Sequence, residues 1–159
     1  MKIGIVVYSQ TGNTMQVAEK LNEALTASGH AAVVERITAE QENTKDGVKV
    51  TLTHAPDASA YDMIYFAAPV HAFSLCPVMK TYLQAMDTLN GKQVACFVTQ
   101  HFPKAWMGGN HAMRQMRDAI QKKGGSVVAS GIVNWSAKTR EAQIGHVVAE
   151  LATASPVQV

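Results

Sequence analysis

The 159-residue chain lacks the features of several common protein classes. Its longest basic cluster is the pair Lys122–Lys123 and its net charge is only +2, so the basic stripe of a nucleic-acid-binding domain is missing. No apolar run approaches the ~20 residues of a membrane-spanning helix. The N-terminus also lacks the length and the cleavage site of a signal peptide. We therefore expect a soluble, cytoplasmic protein with no nucleic-acid partner and no membrane span.

Cysteine is scarce, and the two cysteines show no metal-ligand spacing. Cys76 precedes Pro77 at the expected start of a helix, a position that lowers a thiol pKa. A packing or helix-capping role is nevertheless favoured over a reactive one. Cys96 lies inside an apolar strand and is expected in the core, and a disulfide between the two is not favoured in a reducing compartment. The sequence thus predicts neither a metal site nor a catalytic residue.

What the chain does contain is ample apolar material, with 47% hydrophobic and 16% charged residues. Apolar, strand-like runs alternate with helical patterns, and most of the runs are continuous, which is typical of strands buried on both faces of a parallel sheet. We predict strands at residues 2–8, 31–37, 63–69, 93–99 and 126–133, and helices at 13–29, 77–89, 110–125 and 139–154. This alternation predicts an α/β fold, a single domain over residues 1–159 with a doubly wound, five-stranded parallel sheet.

Residues 38–61 break the alternation, because they are polar and contain one short strand-like piece, VKVTL. The helix that would join the second strand to the third is missing or reduced. We expect a long connection here, with an edge hairpin as one form that it can take.

The loop between the first strand and the first helix, SQTGNT, is rich in hydroxyl and amide groups. A helix N-terminus binds anions, above all phosphate. The loop carries no lysine or arginine, so it would hold a phosphate with neutral donors only. Neither the Walker pattern nor the dinucleotide fingerprint is present. The alternative is an ordinary helix cap by Thr11 or Asn13 with no ligand. The candidate phosphate-binding residues are Ser9, Gln10, Thr11, Gly12, Asn13 and Thr14.

This loop, following an apolar first strand, resembles the phosphate loop of the flavodoxin family, whose usual form is [S/T]-x-T-G-x-T. The resemblance covers most of the chain, since the five predicted strands fall where that fold would place them. It implies the strand order 2-1-3-4-5, with flavin mononucleotide (FMN) at the carboxyl ends of the strands.

Two further loops, at residues 67–80 and 99–113, are expected at the same edge of the sheet, and both mix aromatic with polar residues. A flavin ring needs flat apolar walls and a few backbone hydrogen bonds. His71, Phe73, Phe102 and Trp106 are the candidate walls. The full set of candidate cofactor-binding residues in these loops is Pro69, Val70, His71, Ala72, Phe73, Thr99, Gln100, His101, Phe102, Trp106, Gly108 and Gly109.

The chain departs from the flavodoxin pattern in two respects. Phe73 stands where relatives often carry glycine in a loop that turns over on flavin reduction, and a Cβ makes positive φ costlier. The chain is also slightly basic, whereas the family is acidic around the ring. His71, His101 and His111 map near the site, where they could raise the potential or assist proton transfer. The alternative is that they are exposed loop histidines.

These features favour an FMN-binding electron carrier that exchanges electrons with redox partner proteins. Two alternatives remain open. One is an FMN-dependent oxidoreductase that takes hydride from NAD(P)H and passes it to a quinone or similar acceptor. The other is a degenerate, flavin-free domain in which Phe73 fills the space of the ring. A response-regulator receiver is excluded, because its acidic residues are missing after the first and third strands.

Overall fold

The structure is a computed structural model that describes residues 1–40 and 49–155. Strands and helices alternate in the predicted order. The strands are β1 (Lys2–Val7), β2 (Ala31–Arg36), β3 (Thr38–Ala39), β4 (Leu52–His54), β5 (Met63–His71), β6 (Ser74–Leu75), β7 (Gln93–Gln100) and β8 (Ser126–Asn134). The helices are α1 (Asn13–Ala27), α2 (Pro77–Ala85), α3 (Gly109–Lys122) and α4 (Arg140–Thr153), and a 3-10 turn covers Ala58–Ala60.

The main sheet is parallel, with the strand order β2-β1-β5-β7-β8. This confirms the predicted doubly wound α/β fold with the order 2-1-3-4-5. The strand order reverses between β1 and β5, whose carboxyl ends lie at the same edge of the parallel sheet. In open α/β sheets this is where ligands bind.

Burial follows the position of each strand in the sheet. The central strands β1, β5 and β7 are buried on both faces, as their continuous apolar runs predict. The outer strands are less buried: β2 and the first residues of β8 mix exposed and half-buried positions, and the rest of β8 is half-buried or buried. Helices α1 and α4 pack together on one side of the sheet, and α2 and α3 on the other. Each pair covers its own cluster of buried apolar side chains.

The polar connection after β2 contains a short antiparallel pair, in which β3 lies beside β4. The connection therefore contains an antiparallel strand pair, as one predicted form has it, but the pair is a separate two-stranded sheet and not an edge of the main sheet. Part of the predicted strand-like piece, Val48, lies in the segment 41–48 outside the described residues. The described portion of that piece leads into β4, which begins at Leu52.

Several predicted boundaries were wrong by one to four residues, among them the ends of α2 and β5. The helix predicted to run to residue 89 ends at Ala85, because the next residues bond to a different part of the chain. Leu89 N–H donates to Lys123 O at 2.7 Å, and Gly91 N–H donates to Gly124 O at 2.9 Å. The third strand, predicted to end at 69, continues to His71 and turns back into β6. The short hairpin of β5 and β6 was not predicted, because β6 has no separate apolar run in the sequence.

No helix within residues 1–40 and 49–155 is long and apolar enough to cross a bilayer. The same part of the chain contains no group of three or more His, Cys, Asp or Glu side chains that could hold a metal ion.

Candidate functional site

The loop of residues 8–12 enters α1 through Gly12, which has no side chain to cap the helix. Gly12 occupies the N-cap position with φ +94°, a left-handed conformation that favours glycine. The capping role considered for Thr11 or Asn13 is therefore wrong. Inside the helix, Met15 N–H donates to Ser9 Oγ at 3.2 Å. The side chains of Thr11 and Asn13 have no hydrogen-bond partner among the described residues and lie beside the positive end of the helix dipole.

The other hydroxyls of this loop face inward. Ser9 and Thr14 are both almost fully buried. The hydroxyls of Thr14 and Thr99 are 2.8 Å apart and share a hydrogen bond. Thr99 belongs to β7, so this bond holds the start of α1 against a strand two places away in the sheet. Gln10 is half-buried, whereas Thr11 and Gly12 are exposed.

Arg36, a residue that the sequence analysis did not select, lies at this loop. It is the last residue of β2, and its Nη2 donates to Ser9 O at 2.7 Å. The loop itself contains no basic residue, yet the fold brings a guanidinium beside it. The expectation that neutral donors alone hold a phosphate stays a prediction, and the Arg36 guanidinium is the charged group that the fold adds beside the loop.

The turn between β5 and β6 adopts an unusual backbone. Ala72 and Phe73 have φ values of +49° and +64°, and His71 pairs with Ser74 across the turn. A two-residue hairpin with both central residues at positive φ normally contains asparagine and glycine. Phe73 therefore already has the positive φ that its Cβ was predicted to make costly.

Phe73 is held by the loop after β7. Its ring stacks on that of Phe102, with the planes 2° apart and the centroids 5.3 Å apart. A Cβ on Gly108 would lie only 2.7 Å from Phe73 Cα, so the two backbones touch. Phe73, Phe102 and Trp106 remain 56%, 39% and 75% exposed, respectively. Phe73 and Phe102, one from each loop, therefore meet, and Trp106 is the most exposed of the three.

Gln100 has a structural role at the end of β7. Its side chain is buried, and its Nε2 donates to Lys104 O at 2.6 Å and to Asn134 Oδ1 at 2.5 Å. Asn134 Nδ2 in turn donates to Gln143 Oε1 at 3.1 Å. This network fixes the 101–108 loop to β8 and α4. Gly109 lies close to it, since a Cβ there would be 3.2 Å from Gln100 Nε2.

The three histidines near the site differ in their surroundings. His71 is half-buried, and burial lowers its pKa. The exposed ring of His101 lies edge-on to Phe102, with the centroids 5.8 Å apart. His111 is exposed in the first turn of α3. Pro69 and Val70, also selected, are half-buried residues near the end of β5.

The cysteines have the packing role that was favoured. Cys76 and Cys96 are both free and buried, so they form no disulfide. Burial raises the pKa of each thiol to about 12. Cys76 occupies the N-cap position of α2, but its side chain makes no capping hydrogen bond.

The residues that the sequence analysis missed share a simple signal. Arg36 and Asn134 are the last residues of β2 and β8. Once the sheet is predicted to be parallel, the last residue of every strand lies at the same edge. Residues beside the predicted strand ends are therefore candidates in addition to the loops, and Arg36 and Asn134 each lie one residue from a predicted end, at 37 and 133.

Comparisons with known proteins agree with this geometry. The sequence profile of the flavodoxin family, described as Flavodoxin, matches residues 5–146. No curated protein matches the chain significantly. Because the family profile covers most of the chain, the protein belongs to the flavodoxin family.

Solved structures share the fold at low sequence identity. A flavodoxin from Streptococcus pneumonia TIGR4 has a TM-score of 0.68 and 18% identity, and the match covers 98% of this chain and 100% of that one. An oxidised flavodoxin from Bacillus cereus has a TM-score of 0.67 and 17% identity over 97% and 96%. A flavoprotein in complex with FMN from Lactobacillus acidophilus NCFM has a TM-score of 0.63 and 19% identity over 92% and 97%.

Proposed function

We propose that this member of the flavodoxin family binds FMN at the carboxyl edge of its sheet and carries electrons between redox partner proteins. One observation carries the proposal: the glycine-started N-terminus of α1 and two aromatic loops follow the carboxyl ends of the adjacent parallel strands β1, β5 and β7, beside the switch in strand order. Flavoproteins of the same fold support it, among them the Lactobacillus acidophilus protein in complex with FMN.

The loop of residues 9–14 suits the phosphate of such a nucleotide. Gly12 at φ +94° has nothing within 4 Å of a Cβ position, which leaves room for an anion beside the first amides of α1. Thr11 and Asn13 supply donors that bond to no other described residue. Arg36 adds a full positive charge, since its guanidinium reaches the loop at Ser9 O. The two neutral side chains, the first amides of α1 and the Arg36 guanidinium together suit a dianion such as the phosphate of FMN.

The aromatic loops suit the ring. Phe73, Phe102 and Trp106 are exposed in the loops after β5 and β7, and a flat heterocycle gains roughly 1–3 kcal/mol per aromatic contact. The pKa of His71 is lowered by burial, so this side chain is largely neutral at pH 7. Bound FMN would supply the chemistry by accepting and releasing electrons. The protein residues would bind it, orient it and limit its contact with water.

One observation favours the flavin-free alternative. The rings of Phe73 and Phe102 stack on each other, so each already covers part of the other's face. Under our proposal this pair opens or shifts to admit the flavin. Under the alternative it stays closed and the protein binds no flavin.

A fluorescence titration tests the proposal. Free FMN is fluorescent, and we expect the protein to quench it and to bind FMN at least about tenfold more tightly than riboflavin, because charge-assisted hydrogen bonds to the phosphate contribute roughly 1.5–3 kcal/mol each. Arg36→Ala should weaken FMN binding and leave riboflavin binding nearly unchanged. Arg117→Ala is the control, since Arg117 lies on α3 away from the loop. Absence of quenching, or equal affinity for the two flavins, would contradict the proposal.

A rapid-mixing experiment distinguishes an electron carrier from an oxidoreductase that uses NAD(P)H. The FMN-loaded protein should be reduced slowly, if at all, by NADH or NADPH in a stopped-flow instrument. Rapid bleaching of the flavin absorbance by either nucleotide would favour the oxidoreductase instead.

A further inference from the structure

The outer edge of β8 has few of the features that usually protect an exposed strand from pairing. The nine residues of this strand, SVVASGIVN, include no charged residue and no proline. A bulge at Val128 interrupts its start, where the pairing with β7 passes from Val127 to Ala129. The other outer strand, β2, ends in the charged pair Glu35 and Arg36. After the bulge, the edge of β8 is therefore both regular and uncharged.

Two residues of this regular stretch direct their backbone N–H and C=O groups away from the sheet. Trp135 N–H, just after the strand, donates to a β7 carbonyl at 2.7 Å. Backbone groups alternate in direction along a strand, so those of Ser130, Ile132 and Asn134 face outward. Asn134 N–H donates to Gln143 Oε1 at 2.9 Å. The backbone groups of Ser130 and Ile132 bond to no other residue that the structure describes, so they are open to a partner strand.

A cavity of about 360 Å³ lies beside these open groups, between β8 and α3. Its β8 wall consists of Ser130, Gly131 and Ile132. A Cβ on Gly131 would lie 2.7 Å from Val147 Cγ1 of α4, so the two neighbouring side chains face α3. The α3 wall consists of Asn110, Met113, Arg114 and Arg117. The cavity is therefore placed to receive side chains from a strand that pairs with the outer edge of β8.

Two arginines line this cavity without a carboxylate partner. Arg114 and Arg117 are exposed and about one turn apart on α3, and neither forms an ion pair within the described part of the chain. The carboxylates of the flanking helices have other surroundings. Asp118 lines a separate cavity between α2 and α3. Glu141 and Glu150 of α4 each lie within 3.6 Å of a basic side chain. The cavity beside β8 therefore carries two positive charges that no described carboxylate neutralises.

We propose that β8 binds an acidic, extended segment of another protein, which adds to the sheet as a further strand. The backbone of the segment pairs with the open groups of Ser130 and Ile132. Alternate side chains of a strand lie on one face about 7 Å apart. Two carboxylates at such alternate positions suit Arg114 and Arg117, since residues at this helical spacing have Cβ atoms about 5–6 Å apart. The segment thus has the pattern acidic-apolar-acidic.

A second copy of this chain fits the edge less well. Antiparallel pairing of two β8 strands about a two-fold axis leaves α3 of both copies on the same face of the joined sheet. Arg114 and Arg117 of one copy would then lie near the same residues of the other copy. Like charges at close range oppose such an interface. The charges therefore favour a partner that brings carboxylates.

A peptide titration followed by amide NMR tests strand addition. The probe is acetyl-TEVEVT-amide, whose two glutamates lie on one face of a strand. The matched control, acetyl-TVEEVT-amide, has the same composition but places them on opposite faces. We expect the probe to shift the amides of residues 110–117 and 128–133, and the control to bind at least about tenfold more weakly. Flavin binding is not required, so the result is independent of the proposed function.

N-methylated peptides separate backbone pairing from charge attraction. Only alternate amides of an added strand bond to β8. Methylation of one of two adjacent central amides of acetyl-TEVEVT-amide should therefore abolish binding, and methylation of the other should leave it nearly unchanged. Equal binding by the two methylated peptides would overturn the proposal.

Charge-removing variants test the arginines. Arg114→Gln combined with Arg117→Gln should weaken binding of the probe by about tenfold or more, because charge-assisted hydrogen bonds are lost. The control is Lys20→Gln combined with Lys49→Gln, which removes the same charge from α1 and from the segment before β4. An equal loss in the control would contradict the role of the arginines.

Four further outcomes overturn the proposal. Shifts confined to another surface would place the peptide elsewhere, and equally tight binding of acetyl-TKVKVT-amide would show that charge does not select the partner. Concentration-dependent shifts of residues 128–133 without peptide would indicate a second copy of the chain. The same shifts with inorganic phosphate, at the same concentration as the peptide, would indicate a general anion site.

Discussion

Replacing Gly108 with alanine tests how closely the turn of residues 72–73 packs against the start of α3. Gly108 has φ +117°, and a Cβ there would lie 2.7 Å from Phe73 Cα and 3.3 Å from Phe73 C. The obstructing atoms are backbone, so no rotamer change relieves the contact. Alanine would therefore force the turn and the helix start apart.

The size of the effect follows from two contributions. Alanine at a positive φ costs about 1 kcal/mol relative to glycine. Overpacking against a backbone adds about 1–3 kcal/mol. We expect the free energy of unfolding to fall by about 2–4 kcal/mol in total, which a domain with a typical stability of about 5–15 kcal/mol withstands.

Gly29→Ala is the matched control. Gly29 also has a positive φ, +91°, but nothing lies within 4 Å of its Cβ position, so only the first contribution of about 1 kcal/mol applies. Urea unfolding measures both variants. Gly108→Ala should also weaken FMN and riboflavin binding by the same factor, because it disturbs the ring contacts and leaves the phosphate loop intact. Equal destabilisation by the two substitutions would refute the packing argument.

Two further predictions concern titrating groups. Burial raises the pKa of the Cys76 and Cys96 thiols to about 12. The folded protein should therefore not react with a thiol reagent at pH 8, and both thiols should react after unfolding in urea. Rapid labelling of the folded protein would contradict this. Burial lowers the pKa of His71, so the unfolded chain takes up this proton first and stability falls as the pH drops below about 6.5. His71→Gln should therefore lose less unfolding free energy than the wild type between pH 7.5 and 5.5, and an equal loss would show that His71 does not contribute.

The architecture could be predicted from the sequence because its signals are local. Continuous apolar runs marked β1, β5 and β7, and helical spacing marked the four helices. The end of α2 could not be predicted, since it depends on hydrogen bonds from Leu89 and Gly91 to a segment more than thirty residues away in the chain. Local propensity carries no information about such a contact.

For the candidate site, the sequence indicated loops to consider, but it could not indicate the contacts that the fold makes between them. The phosphate-loop pattern selected residues 9–14, and aromatic composition selected Phe73 and Phe102. Their stacking, and the bond from Arg36 to Ser9 O, exist only because strands far apart in sequence are neighbours in the sheet. The positive φ values of Ala72 and Phe73 could not be predicted from the sequence either, because neither residue type is typical of that turn.

The most direct test of the central claim is to locate the nucleotide phosphate on the protein. An amide NMR spectrum recorded with one equivalent of FMN, and again with riboflavin, measures which backbone groups respond to the phosphate alone. The difference between the two spectra should be concentrated at residues 10–15, where the loop enters α1. No difference there, or a difference centred on the opposite edge of the sheet, would contradict the account.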